Sequence, residues 1–86
     1  MKPSYYANWQ DHVAFSPAGP QPKTLVEDEK VRVILGCLEE GQRIPPHPEA
    51  LAVYHFLEGT GWMTVDGERH PVSAGATVIT LQGAIR

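Results

Sequence analysis

The sequence predicts a small all-β domain, a sandwich or barrel of short strands, and three observations support this fold class. Eight glycines and eight prolines interrupt the 86 residues at short intervals. Between them lie short runs rich in Val, Ile, Leu, Thr and aromatic side chains, which is typical of many short strands. No segment has the length and spacing of a convincing helix. The length allows a single domain.

Charge and composition exclude several classes of function. The net charge of −3 and the scattered seven Lys and Arg residues argue against nucleic-acid binding, which needs a basic face. No apolar run approaches the roughly 20 residues of a membrane span, and the N-terminus lacks a signal-peptide core. The single cysteine, Cys37, lies in an apolar stretch and is predicted to be a buried hydrophobe. We therefore expect a cytoplasmic protein with no nucleic-acid or membrane partner.

The first 22 residues are predicted to form an entry segment that packs on the barrel or on a second subunit. This segment contains four prolines, which disfavour regular structure. It also contains more aromatic residues than a free tail would carry: Tyr5, Tyr6, Trp9 and Phe15. Residues 23–86 are predicted to form the barrel itself.

Six strands are predicted along the chain, each bounded by turn-forming residues: 23–27, 30–38, 51–57, 62–65, 69–72 and 76–81. Turns are predicted at Asp28-Glu29 and at Ser73-Ala74-Gly75, and the strongest turn signal is Asp66-Gly67, a two-residue hairpin loop. Residues 51–57 are apolar on both faces, which predicts a buried strand. Residues 44–49 contain three prolines and so lack three N–H donors, which excludes a central strand there.

Four positions near the end of the sequence follow a known spacing: Gly75, Leu81, Gly83 and Arg86. This is the spacing of the second motif of the cupin superfamily, G-x5-P-x-G-x2-H-x3-N. Leu81 stands at the proline position and Arg86 at the position of the ligand histidine. The stretch from Gly41 to Arg86 resembles this family, and in particular its small single-domain bacterial members.

The first cupin motif, G-x5-H-x-H-x(3 or 4)-E-x6-G, is matched less fully. Gly41 and His47 fit it, Glu49 stands where a second histidine is expected, and the position of the ligand glutamate is not acidic. The resemblance implies a flattened β-barrel of the cupin type (a double-stranded β-helix, similar to a jelly roll) that commonly forms a homodimer. Members usually add one or two strands after the second motif, so the barrel is expected to be incomplete at its C-terminal end.

The resemblance also implies a site for one divalent transition metal, which the family holds with three histidines and a glutamate. His47 and Glu49 remain as candidate ligands, and His55 is the candidate third ligand if the strand register slips by one. The alternative for His55 is a hydrogen-bonded core histidine. Arg86 has no lone pair to give, and its charge would repel a cation by roughly 4 kcal/mol at 4 Å.

Without a metal, the same pocket is expected to bind a small anionic ligand. Arg86 would anchor a carboxylate or phosphate through its planar fork. Apolar side chains would line the wall of the pocket: Tyr54, Phe56, Trp62 and Met63. His47 and Glu49 are two residues apart, so in an extended segment they would share a face as an acid–base pair.

Two functions follow from these alternatives. The first is a binding cupin with a degenerate metal site, little or no catalysis and no cofactor. The second is a metal-dependent enzyme of the oxygenase or isomerase type, which would use His47, Glu49 and a rearranged third ligand. Cupins include enzymes, sensors and storage proteins, so the fold alone does not decide between them.

Overall fold

The computed structural model describes residues 4–48 and 50–86. It confirms an all-β chain, since the strands of the described residues pair as three antiparallel two-stranded sheets. Contacts divide the chain into two compact units, one that ends at Ile44 and one that spans Pro45–Arg86. The strands are β1 (Gln21–Glu27), β2 (Arg32–Cys37), β3 (Ala52–His55), β4 (Thr60–Val65), β5 (Glu68–Ser73) and β6 (Thr77–Thr80).

The first unit is built on the hairpin β1–β2, and its turn is held by one aspartate. The Oδ1 atom of Asp28 accepts hydrogen bonds from the backbone N–H groups of Lys30 at 2.7 Å and Val31 at 2.8 Å. The Asp28 N–H also donates to the Val31 carbonyl at 2.9 Å. An aspartate that bonds the backbone two and three residues ahead favours a turn, as the sequence predicted at this position.

The entry segment contacts β1 at an irregularity in the strand. The β1–β2 register shifts between Thr24 and Val26, so Leu25 is an extra residue without a partner in the ladder. The Leu25 carbonyl accepts a hydrogen bond of 2.7 Å from the hydroxyl of Tyr6. Tyr5 and Phe15 are exposed, so packing of these side chains on a second subunit stays a prediction, as does the domain boundary at residue 22.

One short helical turn, Trp9–His12, lies within the entry segment and was not predicted. It is a 3₁₀ turn of four residues, and the Asn8 side chain caps it by accepting from the Gln10 N–H. An asparagine before a short polar stretch is a typical capping signal. Within the described residues, no helix combines the length and apolarity needed to cross a membrane.

Burial in the second half of β2 follows the alternation of a strand, whereas Val33 in the first half is 44% exposed. Leu35 and Cys37 lie on one face and are buried, while Ile34 and Gly36 on the other face are exposed. The interpretation of Cys37 as a small buried side chain is therefore confirmed.

The second unit contains the hairpin β4–β5 and the pair β3–β6. Asp66 and Gly67 connect β4 to β5 with φ angles of 49° and 84°, which are the positive values that a two-residue hairpin turn requires. The prediction of this hairpin is confirmed, and so is a turn at Ser73–Gly75, where the Ala76 N–H donates to the Ser73 carbonyl.

The prediction that residues 51–57 form a strand buried on both faces is wrong. Strand β3 covers only Ala52–His55, and it pairs with β6 so that Ala52 lies opposite Thr80 and Tyr54 opposite Val78. These four residues form the covered face of the pair, while Val53 on the other face is 65% exposed. A continuous apolar run is consistent with a strand covered on both faces, but apolar side chains also form much of the surface of folded proteins, so the run does not establish burial.

The turn at Asp28 predicts a specific loss of stability in acid. The backbone N–H of Lys30, and then that of Val31, stabilise the carboxylate and lower the pKa of Asp28. A carboxyl group with a lowered pKa in the folded state stabilises the fold above its unfolded pKa of about 3.9. This contribution is lost as the pH falls through the folded pKa. We expect urea unfolding curves between pH 6 and pH 2 to show a smaller acid-induced loss in Asp28→Asn than in the wild type. Identical pH profiles would contradict the assignment.

Candidate functional site

The backbone of residues 85 and 86 lies between two other parts of the second unit. On one side, His47 and Arg86 exchange two hydrogen bonds, from the His47 N–H to the Arg86 carbonyl at 2.9 Å and from the Arg86 N–H to the His47 carbonyl at 3.0 Å. On the other side, Asp66 bonds both the N–H and the carbonyl of Ile85. Successive residues of an extended chain alternate in this way, so the two residues act as a short middle strand.

The pairing of His47 with Arg86 brings together two of the residues singled out from the sequence. Residues that face each other in an antiparallel pair place their side chains on the same side, about 5.5 Å apart at Cα when they exchange both hydrogen bonds. The Nδ1 atom of His47 lies 3.1 Å from the Pro45 carbonyl. A carbonyl only accepts, so we assign a proton to Nδ1.

The guanidinium of Arg86 donates to two oxygen acceptors among the described residues. Its Nη1 atom donates to the Oγ1 of Thr80 at 2.7 Å and to the carbonyl of Ala50 at 2.9 Å. The centre of the guanidinium lies 5.0 Å from the centre of the Tyr54 ring, within the range of a cation–π contact. We call His47, Tyr54, Thr80 and Arg86 the Arg86 cluster.

Strands β3 and β6 position this cluster. Thr80 and Tyr54 lie on the covered face of the pair, and Thr80 is only 1% exposed. A buried hydroxyl is costly unless it is hydrogen-bonded. The bond from Arg86 therefore satisfies the Thr80 hydroxyl and at the same time holds the guanidinium. Sequence analysis missed Thr80, and its signal was a polar residue at an inward position of an apolar strand.

The other predicted pocket residues lie on different faces. Phe56 follows β3 two residues after Tyr54 and is half-buried. On β4, Met63 is half-buried, whereas its neighbour Trp62 is 60% exposed on the opposite face. The guanidinium of Arg69 stacks on the Trp62 ring, with its central carbon 3.9 Å from the ring centre. The structure thus brings Tyr54 and Arg86 together and separates Trp62 from Met63, and a common ligand pocket for all of them stays a prediction.

Two open hollows of the second unit are lined by residues outside the Arg86 cluster. One, of about 630 Å³, is on the exposed face of β4–β5 and includes Trp62 and Pro71. The other, of about 590 Å³, lies along β5 and β6 and includes His70 and Val78. His70 is near Glu68, with 4.0 Å between its Nε2 and the carboxylate. The lining of neither hollow includes a residue of the cluster.

The predicted metal ligands are only partly described. Glu49 lies outside the described residues, so the set of His47, Glu49 and His55 is not tested. His55 is exposed on the face of β3 opposite Tyr54, and its Nδ1 lies 2.8 Å from the Thr77 hydroxyl. Across residues 4–48 and 50–86, no three His, Cys, Asp or Glu side chains are arranged to hold a metal ion. The metal centre that the resemblance implies, which includes Glu49, therefore stays a prediction.

Comparison with solved structures places the fold. The chain is similar to the crystal structure of a conserved protein of unknown function from Streptococcus pyogenes, with a TM-score of 0.82 and 22% sequence identity. The match covers 99% of this chain and 75% of that one. No protein-family model matches the sequence. No curated protein matches it either. The chain therefore shares its fold with an experimentally solved protein.

Proposed function

We propose that this chain is a cupin-type binding domain whose second unit takes a small anionic ligand, a carboxylate or a phosphate, at Arg86. One observation carries the proposal, namely that the guanidinium is already fixed in place. Nη1 is bound to Thr80 and to the Ala50 carbonyl, and Tyr54 lies beside the cation. A side chain whose rotamer is fixed loses less conformational entropy when it binds a partner.

The chemistry of an arginine suits this ligand class. Its guanidinium is planar, stays charged and presents N–H groups in a fork that matches carboxylate and phosphate oxygens. A bound anion would share the guanidinium with its present contacts. His47 pairs with Arg86 through the backbone, so its imidazole is a candidate second polar group at the site.

The same features argue for a binding site over a metal centre. Arg86 stands at the position where the resemblance implies a ligand histidine, and a guanidinium repels a cation. His55, the candidate third ligand, bonds Thr77 on the face of β3 away from Tyr54. The degenerate cupin motifs and the arrangement of the described side chains thus favour the binding role.

The proposal also includes a cellular location and an oligomeric state. A cytoplasmic location agrees with a lone, buried Cys37. A homodimer is what the family resemblance implies, and light scattering on the purified protein tests it.

The proposal is tested by isothermal titration with malonate and with inorganic phosphate, using neutral malonamide as the uncharged probe. We expect the wild type to bind an anion and not malonamide. Arg86→Gln should weaken binding at least tenfold, as loss of a charge-assisted contact requires. The matched control is Arg69→Gln, because Arg69 also stacks on an aromatic ring of the second unit but lies outside the cluster.

Two results would overturn the proposal. One is equal anion affinity in the wild type and in Arg86→Gln, which would place binding elsewhere. The other comes from elemental analysis of the untagged protein after incubation with divalent metals. About one ion per chain in the wild type, lost in His47→Ala, would establish the metal-dependent alternative instead.

A further inference from the structure

Asp66 connects the β4–β5 turn to the residue before Arg86. Its N–H donates to the Ile85 carbonyl at 2.7 Å, and its Oδ1 accepts from the Ile85 N–H at 2.8 Å. These two bonds lie on the side of the chain opposite to the His47–Arg86 pair, because successive residues of an extended strand alternate their N–H and C=O groups. Asp66 therefore fixes one side of the short middle strand, and His47 fixes the other.

The residue type at position 66 serves two purposes at once. Its φ of 49° lies in the left-handed region, which aspartate and asparagine tolerate better than most residues. Its carboxylate also supplies the acceptor for Ile85, which a side chain without oxygen in the same turn could not do. A turn residue chosen for backbone conformation alone would need no bond to a residue 19 positions away.

We propose that Asp66 is a positioning residue for the Arg86 site and sets where the guanidinium lies relative to Thr80 and Tyr54. The effect of Asp66 on anion binding rests on the proposed function. Its effect on the position of Arg86 does not. Without the Oδ1 acceptor, the Ile85 N–H loses its partner, and only the bond from the backbone N–H of residue 66 to the Ile85 carbonyl holds that side of the middle strand. Arg86 then samples more positions, and an anion must order it on binding.

Three variants test the proposal with malonate as the probe. Asp66→Ala should weaken binding roughly three- to tenfold, less than the loss of a charge-assisted bond to the ligand itself, because the effect reaches Arg86 only through the backbone. Asp66→Asn keeps an Oδ1 acceptor and a side chain that tolerates the positive φ, so it should bind within about twofold of the wild type. Asp28→Ala is the matched control, because Asp28 accepts the same kind of turn bonds in the first unit. It should reduce stability and leave malonate affinity unchanged.

Amide hydrogen exchange gives a second readout that needs no ligand. In Asp66→Ala, the Ile85 and Arg86 amides should exchange faster than in the wild type, while the amides of β1 and β2 keep their rates. Unchanged exchange at both residues overturns the positioning role. Unchanged malonate affinity in Asp66→Ala also overturns it, provided that Arg86→Gln loses binding. If no variant and no wild-type sample binds malonate or phosphate, the proposed function fails, and the exchange rates alone decide the role of Asp66.

Discussion

Thr80→Val should lower the free energy of unfolding by about 1–2 kcal/mol, although valine has nearly the same shape as threonine. The hydroxyl of Thr80 is the 2.7 Å acceptor of Arg86 Nη1 and is buried with its residue at 1% exposure. Removing it leaves a cationic donor short of an acceptor. Because Arg86 is only half-buried, water can replace part of the lost bond, and the expected cost is below that of a fully buried charged pair.

The control for this prediction is Thr80→Ser, which keeps the hydroxyl and removes only a methyl group. Its cost should be near 0.8 kcal/mol, the value of one buried carbon. Thr80→Val should also weaken malonate binding a few-fold, whereas Thr80→Ser should not. Chemical denaturation and titration calorimetry measure the two effects. A valine variant as stable as the wild type would show that the hydroxyl does not hold the arginine.

Leu35→Ala should destabilise the protein by about 2–4 kcal/mol, the range for removing a buried leucine side chain. Leu35 is 8% exposed on the covered face of β2. Its neighbour Ile34 is 42% exposed and faces the other way, so Ile34→Ala should cost less than about 1 kcal/mol. Urea denaturation of both variants at neutral pH provides the comparison.

This pair of variants tests the register of the first hairpin. The extra residue in β1 at Leu25 shifts the pairing from Val26 onwards. A slip by one residue would exchange the faces of β2 and reverse the order of the two effects. Equal costs for Leu35→Ala and Ile34→Ala would mean that the two faces are covered to the same degree.

Local signals in the sequence predicted the turns well. A two-residue hairpin turn requires positive φ values, which Asp66 and Gly67 adopt. The hairpin could therefore be predicted from these two residues. The same holds for the turns at Asp28 and at Ser73–Gly75, where the deciding interactions span three residues or fewer. The strand boundaries were less exact, because β1 begins at Gln21 and β3 ends at His55.

The candidate site could be predicted only where a motif spacing carried the information. The spacing from Gly75 and Gly83 predicted Arg86 as a site residue, and the spacing from Gly41 predicted His47. The structure places these two residues side by side. Thr80 and Asp66 could not be found in this way, because their roles depend on bonds to residues that the sequence does not place beside them.

Exposure was the least predictable property. Val53 and Trp62 are both large and apolar, and hydrophobicity alone predicted them to be inside. Which face of a strand is covered depends on what packs against it, and strand alternation only states that two neighbours differ. Two neighbouring pairs show this: Tyr54 and Met63 are half-buried, whereas His55 and Trp62 are exposed on the opposite faces of their strands.

The prolines near His47 determine where the final residues can pair. Of Pro45, Pro46, His47 and Pro48, only the histidine has an N–H group. A shift of the pairing by one residue would set Arg86 opposite a proline, and the reciprocal exchange of two hydrogen bonds would be impossible there. These prolines therefore exclude the alignments shifted by one residue in either direction and favour the one in which the backbones of His47 and Arg86 pair.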